Sequence, residues 1–356
     1  YEITEGDWSS DVCSSDQLSP ARLAAHRRLT TTERHATGSV AGRGAALAVA
    51  PRRPARRATQ PADAGLHPDV AKLERRFVAA AARAARAEPP VAEFQAFVLA
   101  FYRRHGRQLP WRRTRNPYHI LVAEIMLQQT QAPRVVQKYP AFLAAFPNLT
   151  TLAAAPLVDI LRVWRGMGYN RRALALKRLA HAIVSQHAGR IPRSPAALAS
   201  LPGIGAATAA SFTAFAFNAP SVFLETNIRT VFIHYFFRRR RQVPDAALLP
   251  LVAAMLDHTN PRRWYNALMD LGAWLKAHGW NRNSTAAAHR PQPAFAGSTR
   301  ELRGRILALL TDGRPHAAAA IARTLQAEPT RVAHCLAQLR NEGFLRRRRA
   351  AFVLAD

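Results

Sequence analysis

Cysteine is almost missing from this chain: Cys13 and Cys335 are the only two in 356 residues. That excludes a disulfide scaffold and any four-thiolate metal site. Long apolar runs are missing too, with none near the ~18 residues that could span a bilayer. Regular strand alternation is absent until the last few residues, so an all-α fold is expected. The most informative shortage is of acids. Between Phe94 and Pro244 the only acidic residues are Glu124, Asp159 and Glu225, while Arg and Lys recur throughout.

What is there is positive charge. The formal net charge is +29 and the pI about 11.7. Residues 1–90 contribute a net +4 and the remainder +25, so an acidic polymer is the expected partner. Coding bias explains abundant Arg and Ala, but not missing Asp and Glu. Nucleic acid is favoured over an anionic membrane because no amphipathic helix carries a clean basic face. With no signal-peptide core visible, a cytoplasmic, nucleoid-associated location is expected. A surface that meets phosphates sheds carboxylates, so an acid kept there has a task that needs one. The plainer alternative for each is a solvated or helix-capping carboxylate.

Three segments follow from composition. Residues 1–90 mix Ala, Arg, Pro, Ser and Thr without sustained apolar periodicity, and are expected to be a disordered extension. Gly6-Asp-Trp-Ser-Ser-Asp-Val-Cys-Ser-Ser-Asp16 resembles translated adapter DNA more than a protein motif, so part of this extension, Cys13 included, reads as artefact. From residue 91 to 290, Phe94, Phe97, Val98 and Phe101 begin a series of helices punctuated by Pro117, Pro133, Pro147 and Pro156. Residues 282–298 read as a linker. Residues 298–356 suggest three helices and a short basic hairpin, a winged-helix-like domain with 330–341 as its recognition helix. A small partner-binding or dimerising domain of the same shape is the alternative.

The chemistry-bearing segments lie in the middle. Leu201-Pro-Gly-Ile-Gly205 joins two helical stretches; Gly203 and Gly205 allow a tight turn and bare backbone N–H groups at a helix start, a phosphate grip that reads no sequence. Glu124 lies in Ala123-Glu-Ile-Met-Leu-Gln-Gln-Thr-Gln131, and Glu225 in Phe223-Leu-Glu-Thr-Asn-Ile-Arg229. With Leu109-Pro-Trp111, Asn116-Pro-Tyr118, Trp164-Arg-Gly-Met-Gly-Tyr169 and Met269-Asp-Leu-Gly-Ala273, these segments make residues 91–290 resemble the helix-hairpin-helix (HhH-GPD) superfamily of base-excision DNA glycosylases. Within it they are most similar to adenine DNA glycosylases of the MutY type.

The resemblance implies a two-lobed helical core and a monomer acting on double-stranded DNA that carries a mismatched or damaged base. It puts Glu124 at the general-acid position, where burial is needed to keep a proton available at neutral pH. It puts Glu225 where relatives have an Asp facing the sugar, a division of labour like that of sugar hydrolases. Gln128 and Gln129 match a wedge that fills the gap left by the flipped base; surface glutamines are the alternative. Tyr169, Leu201, Gly203, Gly205, Thr208, Asn227 and Arg229 are the remaining DNA-binding candidates. Tyr169 and Phe217 read equally well as core aromatics, and the arginines at 238–241 as a solvated face.

Two further departures shape the expectation. Lyase relatives have a Schiff-base lysine where this chain has Ala207, so a monofunctional enzyme is expected. Relatives usually bind an iron–sulfur cluster after the Met-Asp-Leu-Gly-Ala segment, yet residues 274–297 contain no cysteine, so no cluster and no metal are expected, with Trp274, Leu275 and Trp280 packing there instead. Rival readings are a glycosylase of this fold for thymine or uracil opposite guanine, or for a deaminated purine, and a non-catalytic damage-sensing module.

Overall fold

The computed structural model describes residues 65–84, 89–289 and 293–355. Its middle is two lobes of helices. In the first, α1 (Pro68–Arg83) and α2 (Val91–His105) pack with α10 (Thr226–Phe236), α11 (Asp245–Ala254) and α12 (Pro261–Ala277). The second holds α4 (Ala132–Ala145), α5 (Leu149–Ala154), α6 (Leu157–Trp164), α7 (Arg171–Gln186) and α8 (Pro195–Ala199). Helices α3 (Pro117–Leu127) and α9 (Ala206–Phe217) run against each other, and α9 also meets α12. Both α3 and α9 are apolar on nearly every side, as helices covered all round must be.

The start of α3 is set by Asn116, whose side chain accepts from Tyr118 N at 2.9 Å, and by Pro117 at its first position. Buried Asp270 on α12 fastens the chain ahead of it. Arg112 grips this carboxylate bidentately at 2.7 and 2.8 Å, and Arg107 adds contacts of 2.7 and 2.6 Å. Gly272 lets α12 press on α10: a Cβ there would collide with the Asn227 carbonyl. The Met-Asp-Leu-Gly-Ala segment is therefore a joint between elements.

The expectation that folding begins at residue 91 is corrected. Helix α1 packs Phe77 into an aromatic cluster with Phe94, Phe97, Tyr235 and Phe236. Its buried Glu74 accepts from Tyr235 Oη at 2.6 Å. The rest of the 1–90 assignment, residues 1–64 and 85–88, lies outside the described residues. The linker expected at 282–298 is also shorter than composition suggests. Val243 donates to Thr285 O at 2.9 Å and Ala287 donates back to Val243 O at 3.0 Å, pinning this stretch beside the start of α11. Trp280 packs edge-on to buried His234, with the Arg238 and Arg282 guanidinium groups over its ring. His234 is pushed down to about 3 by burial, reinforced by those two arginines, and is neutral at ordinary pH.

The C-terminal residues form α13 (Thr299–Leu310), β1 (His316–Ala317), α14 (Ala318–Leu325), α15 (Pro329–Asn341), β2 (Leu345–Arg348) and β3 (Ala351–Leu354). The sheet is antiparallel in the order β1-β3-β2, the layout of a winged helix. This unit is docked. Glu342 accepts from Arg171 of α7 at 2.9 and 2.6 Å and from its own unit's Arg303 at 2.5 Å. Arg162 reaches Thr311 O at 2.8 Å, and Arg178 reaches Glu342 O at 2.8 Å. Burial opposes ionisation of Glu342, but hydrogen bonds from Arg171 and Arg303 outweigh it and hold the carboxyl below the usual range. Among the described residues, no helix is long and apolar enough to cross a membrane.

Candidate active site

Glu124 is the only carboxyl on α3 and is 4% exposed, so the burial that an acid role demands is present. Its Oε2 lies 2.8 Å from Ser211 Oγ on α9, and that hydroxyl is also 3.1 Å from Thr208 O. One hydroxyl proton serves two acceptors here. With Glu124 ionised, Ser211 donates to it; with Glu124 protonated, the carboxyl donates to Ser211 Oγ and Ser211 turns to the Thr208 carbonyl. The pair suits a carboxyl that must exist in both states.

Glu225 is also 4% exposed and sits at the N-cap of α10. Its Oε1 accepts from Ile228 N at 2.9 Å, and its Oε2 from Asn227 Nδ2 at 3.2 Å. The capping alternative is thus realised through Oε1, while Asn227 holds Oε2. Position explains the rest: Glu225 stands where the chain returns from the second lobe to the first.

Gln128 is 3% exposed, its Nε2 at 3.4 Å from Thr208 Oγ1. It links α3 to α9, whereas Gln129 is half-exposed in the left-handed region, φ +52. Of the two wedge candidates, Gln129 is the one presented outward. Leu201 is buried beneath the hairpin turn, Gly203 takes φ +78, and Pro202, Gly205, Ala206 and Ala207 are exposed at the start of α9. Around Gly205 a Cβ would meet open space, so backbone N–H groups of the first turn face outward, available to a phosphate.

Two further DNA-binding candidates, like Gln128, Thr208 and Asn227, have protein partners. Arg229 forms a bidentate pair with Asp245 at 2.9 and 2.8 Å, tying α10 to α11. Tyr169, at φ +45, has the guanidinium groups of both Arg172 and Arg300 against its ring, and its hydroxyl accepts from Arg300 Nη1 at 3.0 Å. Phe217 packs edge-on to Phe212 with the Arg193 guanidinium over it.

Arg172 and Ser211 were not singled out in the sequence. Arg172, 6% exposed, donates to the carbonyls of Ile125, Met126 and Gln128, to Thr130 Oγ1, and to the carbonyls of Met167 and Gly168. One side chain thus closes the C-terminus of α3 and clamps the wedge loop to the Gly-Met-Gly turn. Burial brings it down to about 10, still cationic at neutral pH.

Residues 122–249, which include both carboxyls, match the HhH-GPD superfamily of base excision DNA repair proteins. An adenine DNA glycosylase of Mycolicibacterium smegmatis is 35% identical over 234 residues, 60% of this chain and 79% of that protein. The chain belongs to the adenine DNA glycosylase family. Another such glycosylase, from Buchnera aphidicola subsp. Baizongia pistaciae, is 36% identical over 184 residues, 51% of this chain. The match spans about half of that relative, 52% of its length. A solved thermostable thymine-DNA glycosylase superposes with a TM-score of 0.46 at 29% identity, over 51% of this chain and 84% of that one. In this family setting, Glu124 and Glu225 are the two buried carboxyls among residues 122–249.

Proposed function

We propose that this glycosylase is monofunctional and hydrolyses the N-glycosidic bond of a mispaired adenine flipped out of duplex DNA. Glu124 gives its proton to a ring nitrogen of the purine as the bonding electrons move to the base. Glu225 stabilises the sugar cation, water adds to the sugar carbon, and the water's spare proton passes to a carboxylate. Free adenine and an abasic site result. The observation that carries this reading is a lone carboxyl on an apolar helix, excluded from solvent and paired with a hydroxyl that serves both of its protonation states.

Two observations support the monofunctional reading. Ala207 occupies the exposed position, and Lys177 Nζ donates to the carbonyls of Ala153 and Ala155 at 3.2 and 2.6 Å. The residues after α12 do not fit a four-thiolate cluster either. Residues 274–297 supply no sulfur, and Cys335 is buried on α15. Aromatic packing and the Val243–Ala286 pairing hold that region.

The test is a panel of duplexes bearing adenine opposite guanine or oxidised guanine, thymine or uracil opposite guanine, and a deaminated purine, scored for abasic sites by alkali. Release confined to the adenine duplexes, without borohydride-trapped adduct, supports the reading. Preferential release of another base overturns the adenine assignment.

A further inference from the structure

The docked C-terminal unit extends a basic track that starts at the hairpin. Pro202 of the hairpin turn shares a cleft with Arg178, His181, Ser185 and Gln186 on the outer face of α7. Arg178 closes the far side of this cleft by donating to Glu342 O. There the chain passes closely: Gly343 takes φ +87, and a Cβ on it would meet Arg178 Nη2 at 2.5 Å. Two residues later β2 begins and carries exposed Arg346, Arg347 and Arg348 to the tip, where Arg349 turns at φ +55. Hairpin turn, cleft and wing are thus contiguous.

The described acids of this unit are engaged elsewhere. Glu342 is held by Arg171 and Arg303, Asp312 by His316 and the Arg314 N–H, and Glu301 lies in the first turn of α13. Glu328 caps α15, accepting from Thr330 N and Arg331 N at 2.8 and 2.7 Å. This cap sits at the start of the expected recognition helix. A recognition helix contacts bases with its N-terminal residues, and here that end presents a carboxylate, which repels phosphate. The wing, by contrast, presents four consecutive exposed arginines with no acid among them.

Resting on the glycosylase reading above, we propose that the wing arginines at 346–349, with Arg178, grip duplex phosphates beyond the segment held by the hairpin. Such contacts read no sequence. They lengthen the footprint and add to the counterions released, at about 0.9 in the salt slope per phosphate.

The experiment uses the full chain and R347A/R348A, with two duplexes containing an abasic-site analogue. One has about 12 base pairs, ~40 Å of helix, and the other about 30, ~100 Å. The parent should bind the longer duplex on the order of tenfold more tightly, and the variant should lose that surplus, with a salt slope lower by about 2. Equal melting temperatures verify that the variant is folded. A variant matching the parent on the longer duplex in both affinity and slope overturns the wing assignment alone. A parent that binds neither duplex overturns this proposal together with the reading beneath it.

Discussion

Replacing Arg172 by Met removes the guanidinium that holds α3, the wedge loop and the Gly-Met-Gly turn together, while keeping much of the buried volume. Six acceptors lose this donor, three of them carbonyls at the end of α3, while the Gly168 carbonyl keeps Trp164 Nε1. Each buried acceptor left unsatisfied costs about 1–3 kcal/mol. The losses do not simply add, because Thr130 is half-exposed and can recruit water. Against them stands the cost of burying the cation. The fall to about 10, at about 1.4 kcal/mol per pH unit, places that cost at roughly 3 kcal/mol. The net destabilisation is then about 3 kcal/mol, in line with breaking other buried charged networks. For a core of this size that lowers Tm by about 6–12 °C. Arg172→Lys offers three donors from one point and should recover less than half of the loss. Melting followed by circular dichroism, with binding to an abasic-site duplex in parallel, reads both effects. A Met variant that melts with the parent and binds equally well refutes the clamp.

Three more predictions concern single contacts. Ser211→Ala should slow single-turnover base release by roughly 10–100-fold, the equivalent of about 1.5–3 kcal/mol for a hydrogen bond to a charged group, with duplex affinity unchanged; equal loss of affinity would mark Ser211 as structural. Glu225→Asp keeps a good N-cap, so Tm should hold. Its carboxylate retreats by one methylene, however, and base release should fall on the order of 100-fold; a faster variant would show that the pocket never adjusted to Glu. Glu342 ionises more readily folded than unfolded, so its contribution to docking is complete above 4.5 and is lost as pH falls through its lower folded value. X-ray scattering should show the chain expanding over that range, and Glu342→Gln should expand already at neutral pH. Identical profiles for parent and variant would contradict the docking role.

The residues that sequence made legible share one property: their signal is local. Pro202, Gly203 and Gly205 announce a turn by backbone chemistry alone, and Glu124 stands out because its surroundings are so poor in acid. The C-terminal helices and hairpin were legible from short-range periodicity. What stayed hidden depends on contacts distant in sequence. Ser211 meets Glu124 across 87 positions, and no spacing rule marks one serine in an alanine-rich helix. Arg172 is one arginine among many, distinguished only by burial. Helix α1 escaped because its buried face offers few large apolar residues beyond Val70 and Phe77 and includes an acid, Glu74. Arg229 looked available for phosphate until folding brought Asp245 to it.

The most direct measurement is single-turnover release of adenine by Glu124→Gln from a mispaired duplex, with affinity for the same duplex measured alongside. Glutamine keeps the shape and can still bond Ser211, but it has no proton to give. Base release should fall by at least ~100-fold while duplex binding stays within about twofold of the parent. Release at the parent's rate would contradict the general-acid role of Glu124.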